Sequence, residues 1–510
     1  TARSGLEIGL AGVGGTITAV GIITAPHIKT GGSLDNTGLG ESTLAAVTTG
    51  ANSVAVGANA LDAMTTGAQN TAVGHDALTT LTTASNNTAV GESSLQLNTS
   101  GSENTAVGSG ALSANTTATS NVAIGYKAQE TSTTVGGITA VGYYALNALS
   151  TGTAASGLGY RALESNTTGS NNTAVGYDAL RANTTGAGNV AVGKGALDAN
   201  TTGAYNVAIG RDALGANTEG GSNIAIGVGA LDAQTDGADN NVAVGHFALS
   251  ANTTGDNGVA VGYNALNANT TGGSNIAIGY GALLVNTTGA QNVAVGRNAL
   301  AANTTADNNV AIGYLALTAN TGGGSNVAVG YAAVDANTTG SQNIGVGYAA
   351  LGQNTTASGS VAIGYNASTA ATTGGENVAI GIAALEDNVS GTQSVAVGGY
   401  ALANDTTGGN SAVGYKALTT NTTGDHVTAF GYNALELNTT GNNNVAVGYK
   451  ALEANTTANN NIAVGANALD ALNGSGGNNI AIGYEALGAI TTGEHNVAVG
   501  SYALDANNGN

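Results

Sequence analysis

The sequence reads as all-β, a parallel β-solenoid (β-roll) of about 28 coils, and three observations point there. A 17-residue unit, as in Asn189-Val-Ala-Val-Gly193-Lys-Gly-Ala-Leu-Asp-Ala-Asn200-Thr-Thr-Gly-Ala-Tyr205, occurs 28 times, its central glycine standing at 40, 57, 74 and onward to 500. Each unit holds a β-branched or small-residue segment before that glycine, and many end in Asn-Thr-Thr-Gly or a close variant of it, a composition that favours strands and turns over helix. Helical hairpin repeats need about thirty residues or more. The shorter unit suits one coil of two short strands and two turns, stacked on the next coil at the inter-strand spacing. At about 4.8 Å per coil, such a stack would reach roughly 130 Å.

The spacing departs from 17 only before Gly245 and Gly483, where it is 18, and before Gly414, where it is 16. All three changes fall in the Asn/Thr/Gly/Asp stretch between copies, where a loop absorbs an insertion or deletion. Residues 36–510 are thus one repeat array. Residues 1–35 lie outside the register. There Leu6-Glu-Ile-Gly-Leu-Ala and Thr16-Ile-Thr-Ala-Val-Gly-Ile-Ile-Thr-Ala alternate like strands up to Pro26, the single proline. They read as an N-terminal cap, or as connector strands that dock on the last coil of a neighbouring subunit. Thr1 in place of a start methionine points to a processed product or a fragment.

Counted from the central glycine, the columns differ in kind. The preceding residue is Val or Ile in 25 copies, with Leu39, Leu158 and Phe430 in the others, and the residue four after is Leu in 25. These columns, with Val192, Ile209, Ile226, Leu197, Leu214 and Leu231 among them, are the expected coil core. Two residues before the glycine stands Ala in 25 copies, replaced by Gly38, Gly157 and Gly345. Side chains alternate along a strand, so this column is expected on the opposite face. Ala191, Ala208, Ala225, Ala243, Ala260, Ala277, Ala294 and Ala311 belong to a column that never exceeds a methyl group, which marks a close contact. The contact is with a second layer of the same coil or with a neighbouring chain; the neighbouring chain is favoured, because the core columns already fill the coil.

Two asparagine columns recur. One precedes the strand (Asn189, Asn206, Asn223, Asn275, Asn292) and one opens the Asn-Thr-Thr turn (Asn183, Asn200, Asn252, Asn269). Stacked amides are expected to form hydrogen-bonded ladders, although each Asn-Thr-Thr is also formally a glycosylation sequon. Of the 18 tyrosines, fourteen directly follow the central glycine, including Tyr263, Tyr280, Tyr314, Tyr331, Tyr348 and Tyr365. They form an expected aromatic stripe that stiffens the stack, lines an inter-chain groove or binds glycans.

Signals for catalysis are weak. The chain has no Cys, which removes disulfides, zinc–thiolate sites and cysteine nucleophiles. His27, His75, His246, His426 and His495 share no short spacing and read as loop residues. Asp178, Asp198, Asp212, Asp232 and Glu164 are expected on the exposed side of the Tyr-x-Ala-Leu strand, with nothing to single out a catalytic pair. Pairs such as Asp239-Asn240 and Asp307-Asn308 are explained by turn chemistry without calcium. A net charge of −20 argues against nucleic-acid partners and anionic membranes, and no run of eighteen apolar residues suggests a membrane-spanning helix. No cofactor is expected.

Segments such as Asn52-Ser-Val-Ala-Val-Gly57, Asn206-Val-Ala-Ile-Gly210 and Asn275-Ile-Ala-Ile-Gly279 resemble the head repeats of YadA-like trimeric autotransporter adhesins. The longer unit, with Tyr-x-Ala-Leu and Asn-Thr-Thr-Gly, is similar to repeats in tail-fibre proteins of marine and cyanobacterial phages. The resemblance covers residues from about 36 to 510 and implies a parallel β-roll, three chains around one axis, and a role in reaching or adhering to a surface. Adhesin heads of that type repeat more tightly, so the coil here carries an enlarged loop. The expected function is a non-enzymatic structural or adhesive fibre on a virion or at a cell surface, with a surface glycan or receptor as partner. Two alternatives stand beside it. One is a self-polymerising extracellular filament joined head to tail through residues 1–35; the other is an ice-binding solenoid, although its Thr pairs lie in turns.

Overall fold

The computed structural model describes residues 34–235 and 237–505. The cap or connector expected over residues 1–35 therefore lies outside the described residues, apart from Leu34 and Asp35. The chain forms two compact units divided between Gly221 and Ser222. Each is a parallel β-solenoid with a 17-residue repeat. Among the described residues the first unit has eleven three-residue strands, from Thr37–Leu39 to Val207–Ile209, and the second has seventeen, from Ile224–Ile226 to Val497–Val499. Within each unit every strand pairs in parallel with the next in sequence. Val190, Ala191 and Val192 lie opposite Val207, Ala208 and Ile209, and Val259, Ala260 and Val261 opposite Ile276, Ala277 and Ile278.

A coil carries one strand, not the two expected. The Tyr-x-Ala-Leu segment is a run of turns, because its backbone enters the left-handed region twice, as at Asp178 (φ 56°) and Leu180 (φ 53°). A leucine in that region costs about 1–2 kcal/mol. Complete burial of the Leu side chain offsets the cost. The turns still bond from coil to coil, Leu197 N–H donating to the Ala213 carbonyl at 3.0 Å and Ala199 N–H to Gly215 at 3.3 Å. The central glycine closes the strand at a positive φ, 136° at Gly193, and a Cβ there would lie 2.5 Å from the Gly210 carbonyl oxygen. Only glycine permits that approach between coils.

The strand faces the opposite way from the expectation. Ala191, Ala208, Ala225, Ala243, Ala260, Ala277, Ala294 and Ala311 are all 0% exposed within the single chain, so they point into their own coil and are not an inter-chain contact. Leu197, Leu214 and Leu231 are buried as expected, but Ile209 and Ile226 are 39% and 38% exposed and Val192 is half-buried, so they lie outside the core. The reason is the narrowness of the coil. Leucines from the turn wall reach across to the strand, and the space left between them admits a methyl group. At Gly157 an added Cβ would sit 3.1 Å from the Ala162 carbonyl oxygen and 3.3 Å from the Leu146 side chain, a tight fit even for a methyl group. A further alanine column, Ala196, Ala213 and Ala230, completes the interior and was not singled out from the sequence.

This inversion separates two substitutions. Ala208→Glu places an unpaired charge in the coil and should cost more than about 4 kcal/mol, whereas Ile209→Glu, on the outer face, should cost under about 1 kcal/mol. Amide hydrogen exchange over residues 190–217 distinguishes them; equal loss of protection in both variants would contradict the orientation.

Candidate functional site

With the strand interior settled, three surfaces and one buried array remain to carry function. The buried array is built from the two asparagine columns. Asn200 Nδ2 donates to Asn183 Oδ1 at 2.8 Å and to the Gly203 carbonyl at 3.0 Å; Asn269 Nδ2 donates to Asn252 Oδ1 at 2.9 Å. From the other column, Asn189 Nδ2 crosses the coil to the same Gly203 carbonyl at 2.9 Å, and its Oδ1 accepts the Asn206 N–H at 2.9 Å. Both ladders expected from the sequence are therefore present. The amides of Asn183, Asn200, Asn252 and Asn269 are buried, so these sequons offer no accessible nitrogen for a glycan in the folded coil. The first Thr of the turn adds a third ladder, Thr201 Oγ1 donating to the Thr218 carbonyl at 3.1 Å.

The second feature is the aromatic stripe. In the second unit Tyr263 and Tyr280 stack at 5.3 Å and 9°, and Tyr314, Tyr331, Tyr348 and Tyr365 continue at 5.1–5.2 Å. Arg297 fills the one interruption, its guanidinium 5.6 Å from the Tyr280 ring and 5.8 Å from Tyr314. Rings stacked in this way cover one another's faces and present edges to solvent. A sugar that packs on an aromatic face finds those faces occupied within the stack.

The third is the outer strand face. In the second unit its two columns hold 34 side chains, of which all but Ser411 and Thr428 are apolar, and none is charged. At the usual strand spacing the strip is roughly 80 Å long and about 10 Å wide, on the order of 800 Å². That exceeds the roughly 300–600 Å² of the largest apolar patch on a typical monomer. The first unit differs: the outer column ahead of Ala carries Thr at Thr71, Thr88, Thr105, Thr139 and Thr173.

Charged groups lie on the turns. Asp178 receives two hydrogen bonds at 2.9 Å from Arg161, and Glu164 lies 3.9 Å from the same guanidinium. Asp212 pairs with Arg211 at 3.5 Å. Asp178, Asp198, Asp212, Asp232 and Glu164 are half-buried on turns, not on the face of a strand. His75 and His426 each approach the carboxylate next to them in sequence, at 3.4 and 3.0 Å. Among the described residues no group of three or more His, Asp or Glu could hold a metal ion. Compared with known proteins, the chain matches no family model and no curated sequence.

The ladders also show where they fail. Asn115 Oδ1 is buried without a donor because the next coil offers Ser132, which is too short and whose own hydroxyl is buried without a partner; Val135 stands there in place of Ala118. Ser132→Asn with Val135→Ala reproduces the Asn115–Ala118 pair of the preceding coil. The double variant should gain about 1 kcal/mol. Hydrogen exchange of residues 112–149 should show stronger protection, and unchanged protection would count against the ladder as a source of stability.

Proposed function

We propose that the chain is a non-enzymatic structural fibre protein that associates laterally with copies of itself through its outer Val/Ile face and extends from a virion or cell surface to contact another surface. The observation that carries this reading is the uncharged apolar strip of the second unit. Exposed apolar surface of that extent favours association by removing it from water. A second copy is the natural occupant. It carries side-chain rows at the same spacing, so ridges and hollows can interlock along the whole strip. In a chain of net charge −20, keeping every charge off this face also lets two copies approach there without placing like charges in contact. The strip is of the size that a stable interface buries on each partner, about 800 Å². The likeness of the repeats to adhesin heads supports three chains in the assembly. Repetition supports the fibre role as well, because one coil offers much the same surface as the next.

A second reading, ice binding, has one observation in its favour: Thr71, Thr88 and Thr105 stand in successive register on the outer face of the first unit. Thermal hysteresis measured on the purified protein tests it, and its absence removes that reading.

The fibre reading is tested by mass. The wild-type chain should be oligomeric by light scattering at micromolar concentration, and Ile278→Lys with Ile312→Lys and Ile363→Lys should yield monomers with an unchanged circular dichroism spectrum. A monomeric wild type, or a variant that keeps the oligomer mass, would contradict it.

A further inference from the structure

Among the described residues one acidic side chain has no contact with solvent, Asp405. It stands in the second asparagine column, between Asn388 of the preceding coil and Asn421 of the next, in the one coil whose spacing is shortened to 16. Its two oxygens are treated unequally. Oδ1 accepts three side-chain hydrogen bonds, from Asn421 Nδ2 at 2.8 Å, Thr407 Oγ1 at 3.0 Å and Asn410 Nδ2 at 3.1 Å. Oδ2 is buried and accepts none, and Asn388 Oδ1 is likewise buried without a donor. In a regular coil that acceptor is met by the next amide, as when Asn320 Nδ2 donates to Asn303 Oδ1 at 3.1 Å. Equivalent orphan oxygens occur at Asn115, before Ser132, and at Asn455, before Leu472. Serine lacks the reach and leucine lacks a proton. An aspartic acid has the length of asparagine, and once protonated it has a donor as well.

We propose that Asp405 is a proton-binding site: in the folded chain it carries its proton on Oδ2 and donates it to Asn388 Oδ1, and loss of that proton loosens the coil around it. Burial raises its pKa above the ordinary aspartate range, outweighing the hydrogen bonds to Oδ1, which act in the other direction. No other charged residue stands on its own coil, 398–413. On the flanking coils Glu386, Asp387, Lys416, Asp425 and His426 are half-buried or exposed at the surface, and none is among the causes of the shift. An open cleft lined by Thr392, Gln393, Thr407, Gly409, Asp425 and His426 lies over the shortened turn. Thr407 belongs both to that cleft and to the Asp405 site, which gives the proton a short path to water. A folded-state pKa above the unfolded one, which is about 3.9, contributes stability that is complete below the unfolded value. That stability is lost as pH rises through the folded value.

The test compares the full-length wild type with Asp405→Asn, which restores the regular amide donor, and with Asn388→Ala, which removes the acceptor. At pH 5, where ordinary aspartates have ionised, the infrared spectrum of the wild type should contain a protonated-carboxyl band that Asp405→Asn lacks. Asn388→Ala should lose that band at lower pH than the wild type. Exchange protection of residues 398–421 relative to Asp405→Asn should fall roughly tenfold or more between acidic and alkaline pH. If Asp405→Asn removes only a carboxylate band at pH 5, Asp405 is ionised and the proposal is overturned. A band unaffected by Asn388→Ala, or a protection ratio that does not move with pH, would overturn the donor assignment and the loosening respectively.

Discussion

Everything in this fold depends on each coil repeating the backbone path of the last, and the buried side-chain amide is what holds that path. A coil of 17 residues has too small an interior for a conventional hydrophobic core: alanine methyls on the strand side and one leucine from the opposite wall fill it. The two remaining corners are lined by backbone carbonyls that water does not reach. Asn189 and Asn200 both donate to the Gly203 carbonyl, and each is bonded to the asparagine of an adjacent coil. A buried polar group left alone is costly, yet a fully connected network adds directional constraint that apolar contacts lack. The amides thereby fix both the width of the coil and its register.

The same constraint explains where the chain tolerates changes in length. Before Gly414 the repeat loses a residue, yet Val395 still pairs with Ser411 and Asn421 still donates to Asp405. Before Gly483 it gains one, and Asn479 Nδ2 still reaches Asn461 Oδ1 at 3.1 Å. The exposed turn changes while the buried columns keep phase. Outward positions are free of this requirement. They carry the tyrosine stack, the ion pairs and the apolar strip, so association and surface chemistry can vary without touching the interior.

The repeat, its period and the parallel stacking were legible from residue spacing alone, as were the Leu and Asn columns. The direction of the strand was not. Hydrophobicity favours Val192 and Ile209 over Ala191 and Ala208 for the interior, and that ranking misleads when the interior is only a methyl wide. The sequence did carry the corrective signal: Asn189 and Ala191 share one face of an alternating strand, and both columns are held to small or amide-bearing residues far more strictly than a solvent-facing column would be. Strand alternation also stops short of Tyr-x-Ala-Leu, which is a run of turns. Left-handed backbone at leucine is rarely expected from propensity, and here burial and inter-coil bonding impose it. Asp405 was invisible among aspartates of the turns, because its burial follows from column position and not from residue type.

The central claim is that neighbouring asparagines act as one bonded unit, and a double-mutant cycle tests it most directly. Asn183→Ala, Asn200→Ala and the double variant would be compared by the opening free energies of residues 180–217 in native-state hydrogen exchange, with the remote pair Asn98 and Asn200 as reference. A shared hydrogen bond should make the adjacent pair non-additive by about 0.5–3 kcal/mol, the double variant costing less than the sum, while the remote pair adds. Additivity in the adjacent pair would mean that the amides act singly and that the ladder does not hold the coils in register.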